Sequence, residues 1–256
     1  MNILIMNMYK TPIILLIGGK GSRYLDDNNQ PKQLVEVKKK PILIHMMNTY
    51  YSNGFNFIVL PLGHKKEIFK DFFNNKTNKN KYRLNILNKN FTNYEKKKIN
   101  IFMFDTKKRI TKLERIKKSL TFFKDQENVG VNYGDAICNI DIRSVYKKFI
   151  KNNLNAIMSV ITMKSPFGHV LIKNNYIKKF EEKPDLPSPT NIGYYFFKSA
   201  SLVNYGRSNS ELETSFLNNQ IKKRELDFYF HKGYFHTVNH KQDLINIRHK
   251  EKKIFK

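Results

Sequence analysis

Short apolar runs alternate along the chain with helix-length stretches in which apolar residues recur every three or four positions. Residues 13–17 form a continuous apolar run that stops at Gly18 and Gly19, the pattern of a buried strand entering a tight loop. Residues 42–52 predict a helix that ends near Gly54, a suitable C-terminal cap. A strand at 57–60, a helix at 65–73, a strand at 101–104, a helix at 112–123 and a strand at 129–133 follow. That last strand runs into Gly134 and Asp135. Between the second helix and the strand at 101–104 lies a polar stretch, 74–100, in which only 84–87 is strand-like; it reads as an insertion. The second half continues with a helix at 145–152, a strand at 156–163 and a hairpin pairing 170–172 with 176–180 across Lys173-Asn174-Asn175. Pro184, Pro187 and Pro189 mark a loop before a strand at 192–197, a short helix at 212–218, a strand at 226–230 and a basic helix at 242–253. Such alternation predicts an α/β sheet with helices on its faces. Without repeats or a long linker, one domain with a smaller C-terminal lobe is expected.

Composition narrows the class. The chain has 256 residues, 40% of them hydrophobic, enough for a real core. With 47 Lys+Arg against 21 Asp+Glu the formal net charge is +26, which raises nucleic-acid binding as a reading. Two features argue against it. Trp is absent and Ala occurs only at Ala136, Ala156 and Ala200, the mark of an A/T-biased coding sequence that inflates lysine. The lysine runs, such as 38–40 and 96–98, are also scattered between apolar segments, as solvated faces are. A single cysteine, Cys138, forms no internal disulfide and no zinc-finger spacing. The run at 13–17 is far short of the about 20 residues that span a bilayer, and residues 1–8 lack signal-peptide features. A cytoplasmic protein without membrane or nucleic-acid partners is expected.

The densest signal is Leu16-Ile17-Gly18-Gly19-Lys20-Gly21-Ser22-Arg23. Glycines after a strand let backbone N–H groups approach an anion, although such a run also serves as a simple tight turn. The spacing matches neither a P-loop nor the dinucleotide fingerprint, whose third glycine would fall at Tyr24. Downstream come Gln30-Pro31-Lys32-Gln33-Leu34 and Lys39-Lys40-Pro41-Ile42-Leu43. With these the chain resembles the sugar-1-phosphate nucleotidyltransferases, whose opening signature is a strand, Leu-Ala-Gly-Gly-x-Gly-Thr-Arg, then Pro-Lys, then Lys-Pro before a helix. Ile17 stands for the Ala and Ser22 for the Thr. The resemblance runs from about 11 to 247 and is greatest to the glucose-1-phosphate cytidylyltransferases, which carry segments similar to Val35-Glu36-Val37, Pro41-Ile42-Leu43-Ile44-His45, Tyr133-Gly134-Asp135 and Asp105-Thr106. They share the long connection at 74–100, which the heptose-1-phosphate guanylyltransferases usually lack. Phe167-Gly168, Phe180-Glu181-Glu182-Lys183-Pro184 and Asn191-Ile192-Gly193 match sugar-binding segments.

The resemblance implies a Rossmann-like, mixed but mostly parallel sheet with helices on both faces. A nucleotide-binding half would span about 11–150, and a sugar-phosphate half with the C-terminal lobe about 151–256. It implies attack of a sugar 1-phosphate on the α-phosphorus of a nucleoside triphosphate, CTP favoured, giving a nucleotide-sugar for surface polysaccharide and pyrophosphate. Arg23 would stabilise the pyrophosphate and Lys32 would bridge the two reacting phosphates. Leu16, Gly18, Gly19, Gly21 and Ser22 would hold the nucleotide, Asp135 would ligate Mg²⁺, and Gly168, Glu182, Lys183 and Asn191 would receive the sugar phosphate. Self-association is left open.

Two departures bear on activity. The cytidylyltransferases follow Asp-Thr with a glycine-bearing loop beside the base, whereas here 107–115 carries no glycine. Their second metal-binding Asp falls at Thr237 or Asn239, in a stretch, 233–239, without a carboxylate. Weakened turnover, or a relative that binds sugar phosphates without turning them over, is the alternative these losses raise. His236 and His240 lack the glutamate of a helical metalloprotease motif, and Cys138 reads as a small buried residue.

Overall fold

The computed structural model describes residues 8–19, 30–107, 109–206, 210–238, 243–245 and 247. Its first-half strands are β1 (Ile13–Leu15), β2 (Glu36–Val37), β3 (Lys40–Pro41), β4 (Phe57–Leu62), β5 (Leu84–Ile86), β6 (Ile99–Asp105), β7 (Asn128–Asn132) and β8 (Ala136–Cys138). The second half adds β9 (Ala156–Ile161), β10 (His169–Lys173), β11 (Tyr176–Glu181), β12 (Thr190–Lys198), β13 (Leu226–Phe230) and β14 (Phe235–Thr237). The helices are α1 (Ile42–Ser52), α2 (Lys66–Asn74), α3 (Lys76–Tyr82), α4 (Lys112–Leu120), α5 (Ile142–Asn152), α6 (Ser199–Val203) and α7 (Asn218–Lys222). A π-helical turn, Leu212–Leu217, leads into α7.

Eight strands make one sheet in the order β13-β9-β12-β7-β1-β4-β6-β5. β12 runs antiparallel to both its neighbours and the other pairings are parallel. The sheet is continuous across the boundary expected near residue 150. β1 sits between β4 and β7, so the strand order reverses at its carboxyl end. Open α/β sheets bind ligands at such a switch point.

The apolar run at 13–17 owes its continuity to burial on both faces. Ile13, Leu15 and Ile17 pack into a core with Leu43 and Met47 of α1 and Val145 and Phe149 of α5. Ile14 and Leu16 face the opposite core, with Leu113 and Ile116 of α4. Each such side chain contributes about 1.5–3 kcal/mol by leaving water. α1 ends as expected, with Gly54 at φ +95°.

Several elements go beyond the sequence expectation, among them the short β2, β3 and α6. α3 forms inside the polar stretch because the Asn75 side chain caps it, accepting from the Asn78 N–H at 3.1 Å. β8 and β14, three residues each, pair antiparallel and lay the 235–237 segment against the chain just after Asp135. At the far end, Leu244 and Ile247 join a small core with Val35, Val37, Ile42, Ile137 and Val238. Leu244 and Ile247 thus pack against residues of the first half. Among the described residues no helix is long and apolar enough to cross a membrane.

Candidate active site

Beyond β1 the chain leaves the sheet at Gly18, and beyond β7 it turns at Gly134, whose φ is +78° and whose N–H donates to Asn132 Oδ1 at 2.8 Å. An L-residue there would be strained, and its Cβ would lie 2.6 Å from Ile17. This turn presents Asp135. Lys32 comes from a single 3₁₀ turn after Pro31, and its Nζ lies 2.7 Å from Asp135 Oδ2. Both side chains are largely buried, 13% and 22% exposed. They border a cleft of about 440 Å³ whose walls also include Leu16, Gly18, Gly19 and Tyr133. Arg109, Lys112 and Arg115 line its other side. Four cations thus face one carboxylate, a lining suited to phosphates.

The fold brings together five residues singled out in the sequence: Leu16, Gly18, Gly19, Lys32 and Asp135. Gly21, Ser22 and Arg23 lie outside the described residues. Gly168, Glu182 and Lys183 sit on the β10–β11 arm, outside the walls of this cleft. A Cβ on Gly168 would stand 3.1 Å from Glu182 Oε2, and the exposed Glu182 and Lys183 approach each other to 3.7 Å.

The glycine-free segment, which runs into the first turn of α4, borders the cleft with Arg109, Ile110, Lys112 and Arg115. Arg115 is buried, donating from Nη1 to Thr106 Oγ1 at 2.7 Å and from Nη2 to the Lys107 carbonyl at 3.4 Å. Thr106 Oγ1 in turn donates to the Leu62 carbonyl at 2.8 Å, tying the loop to the end of β4. The guanidinium lies directly against the glycine loop. A Cβ on Gly18 would come within 2.1 Å of Arg115 Nη1 and 2.9 Å of the Gly63 nitrogen. Burial lowers the Arg115 pKa from its ordinary value, leaving a desolvated cation beneath the loop.

Asn191 reaches the same cleft through a relay. Its Nδ2 donates to Tyr195 Oη at 2.5 Å; the Tyr195 and Tyr133 hydroxyls meet at 2.6 Å; and Tyr133 donates to Glu213 Oε1 at 2.6 Å. Lys112 pairs with the same Glu213 oxygen, its Nζ 4.4 Å from the centre of the Tyr133 ring. Burial pushes the Tyr195 hydroxyl up to about 12 and also raises Tyr133, so both stay protonated as donors. Burial pushes Glu213 up too, but hydrogen bonds from Lys112 and Tyr133 outweigh it and hold the carboxyl below its ordinary value. Glu213 escaped the sequence reading because 80 residues separate it from Tyr133. Its one local signal was a carboxylate beside the apolar positions of a short helix.

The donor set for a metal is small. The Val238 N–H donates to the Asp135 carbonyl at 3.1 Å, so the segment expected to supply a second carboxylate does run beside Asp135. Thr237 pairs with Ala136 there, and Asn239 lies outside the described residues. Among the described residues no cluster of three or more His, Cys, Asp or Glu could hold an ion. One carboxylate fits a Mg²⁺ whose remaining ligands are phosphate oxygens and water. Cys138 is buried 3.4 Å from His231 Nε2; burial pushes its thiol up to about 12 and lowers His231, which makes it an inert core residue.

A cation-lined cleft at the switch point of a doubly wound sheet lies where open α/β proteins bind their ligands. The chain belongs to the family described as Nucleotidyl transferase, whose sequence profile matches residues 12–245. It is 24% identical over 245 residues to the glucose-1-phosphate cytidylyltransferase of Salmonella typhimurium (strain LT2), covering 91% of this chain and 93% of that one. It is likewise 24% identical over 241 residues to a mannose-1-phosphate guanyltransferase of Hypocrea jecorina, covering 91% of this chain and 62% of that one. In fold it is similar to UDP-glucose pyrophosphorylase complexed with UDP-glucose, with a TM-score of 0.67 at 18% identity, over 95% of this chain and 98% of the other.

Proposed function

We propose that this chain transfers the nucleotidyl group of a nucleoside triphosphate, CTP favoured, to the phosphate of a sugar 1-phosphate. The observation that carries the reading is the Lys32–Asp135 pair, 2.7 Å apart at the mouth of the glycine loop. The preference for CTP is supported by the cytidylyltransferase relatives, which match at 24–27% identity over 91% of the chain.

An oxygen of the sugar phosphate attacks the α-phosphorus. As that bond forms, the bond to the bridging oxygen of the leaving group breaks, and its electron pair departs with pyrophosphate. No general base is required, because a phosphate monoester with a second pKa near ~6 is largely dianionic at neutral pH. The protein's task is therefore to position two anions and offset their repulsion. Lys32, drawn from Asp135 by the arriving phosphates, bridges the α-phosphate and the nucleophile. Arg109, Lys112 and the buried Arg115 add positive potential to the same wall, and Arg23 would meet the leaving pyrophosphate. Asp135 would hold Mg²⁺, which supplies charge neutralisation at the phosphates. Asn191, held by its hydrogen bond to Tyr195, would meet the sugar.

The test is pyrophosphate release by the purified chain with CTP, GTP, UTP and dTTP, each against several sugar 1-phosphates, with and without Mg²⁺. Release with CTP and a hexose 1-phosphate, dependent on both substrates, is expected, and Lys32→Ala should lower turnover by about 10²-fold or more without unfolding the chain. A preference for GTP with a heptose phosphate would assign instead the alternative of a heptose-1-phosphate guanylyltransferase-like enzyme. Thermal shifts with these ligands but no turnover from any pair would overturn the enzyme. That result would establish the second reading, a non-catalytic sugar-phosphate binder, which the carboxylate-free segment beside Asp135 favours.

A further inference from the structure

A second cleft, of about 850 Å³, opens at the opposite end of the sheet, where β4, β6 and β7 begin. Its floor is an aromatic cluster. The rings of Phe57 and Phe123 meet edge to face at 5.1 Å and those of Phe57 and Phe91 at 5.5 Å. Phe122, 40% exposed, and Tyr9, 37% exposed, add apolar surface to its walls. Lys10, Lys96, Lys97 and Lys124 line it against one carboxylate, Asp125. Among the described residues none of these four lysines forms an ion pair.

The wall that carries Lys96 and Lys97 is a built feature. Asn56, fully buried, donates to the Lys96 carbonyl at 3.0 Å and the Lys98 carbonyl at 3.3 Å, while its Oδ1 accepts from Tyr94. Tyr51 donates to the Lys97 carbonyl at 3.1 Å. Phe91 is held at φ +54°, a costly conformation for an aromatic residue that persists only where its surroundings impose it. With the Tyr51 and Tyr94 hydroxyls engaged internally, the cleft offers apolar contact and positive charge but few groups that could read the polar edge of a base. Its volume lies in the range of small-molecule sites.

We propose that this cleft binds a small amphipathic anion, an apolar chain or ring against Phe57, Phe91 and Phe123 with a single phosphate, sulfate or carboxylate head at the lysines. The site is separate from the nucleotide cleft and does not depend on its chemistry. The chain has no tryptophan, so Phe122→Trp places a unique fluorophore at the wall. Titration with decyl phosphate below its micelle concentration should change the emission saturably at one-to-one stoichiometry. Decanol should bind about tenfold more weakly, for lack of the charge contacts, and inorganic phosphate should give no response. Calorimetry of decyl phosphate with the unsubstituted chain should return the same affinity. Lys96→Gln combined with Lys97→Gln and Lys124→Gln should bring decyl phosphate down to the affinity of decanol while leaving nucleotide binding unchanged. Absence of saturable binding by both methods overturns the proposal. So do equal affinities for decyl phosphate and decanol, or an unchanged affinity in the triple variant.

Discussion

Gly18 and Gly19 are neighbours with different reasons to be glycine. At Gly18 the space for a side chain is already taken by Arg115 and by backbone atoms of Pro61 and Gly63, the latter two at 2.9 Å. At Gly19 a Cβ meets nothing within 4 Å, and the residue faces the cleft. Gly18→Ala should therefore destabilise the fold by about 1–3 kcal/mol, as overpacking does, measured by chemical denaturation. Gly19→Ala should leave stability unchanged and weaken nucleotide affinity, measured by calorimetry. Glu213 makes a second residue-scale case. Its folded pKa lies below the ordinary 4.5, so the ionised carboxylate stabilises the fold above that pH, and this contribution is lost as the pH falls through the lower folded value. Glu213→Gln should flatten the acid limb of the stability curve below about pH 4.5, while at pH 7 Lys112 loses its partner and KM for the nucleotide changes.

At the scale of elements, local chemistry set some boundaries outright. α4 begins with a capping box: Thr111 Oγ1 accepts from the Glu114 N–H at 3.1 Å, and Glu114 Oε2 accepts from the Thr111 N–H at 2.9 Å. The same Thr111 hydroxyl donates to the Ser210 carbonyl at 2.9 Å, fastening the helix that carries Lys112 and Arg115 to the second half. Thr111→Ala should cost about 1–2 kcal/mol, read from denaturation midpoints. The β10–β11 turn was equally legible, since Asn174 at φ +50° and Asn175 at φ +61° adopt the conformation that two-residue hairpins require and asparagine tolerates. α3 was not legible. Its sequence, KTNKNKY, has no apolar face, and it stands on one cap and on Tyr82 packed into the core. β8 and β14 are too short to carry a period and exist because they pair with each other.

For the molecule as a whole, the charge of +26 bears on the approach of charged ligands. If it helps draw polyanionic nucleotides toward the cleft, kcat/KM for the triphosphate should fall severalfold as salt is raised from about 0.05 to 0.3 M, following the shorter screening length. An unchanged value would confine the electrostatics to the residues that touch phosphate.

By itself the sequence determined the α/β alternation, the strand buried on both faces and the glycine loop after it, because periodicity and turn chemistry are local properties. It also determined the family, through motifs spread along most of the chain. Only the tertiary structure decided that Lys32 meets Asp135 across 103 residues, that Arg115 lies beneath Gly18, and that Glu213 joins Lys112 to Tyr133. Those contacts follow from the strand order, which places β1 and β7 side by side, and strand order is settled by how whole layers bury their apolar faces.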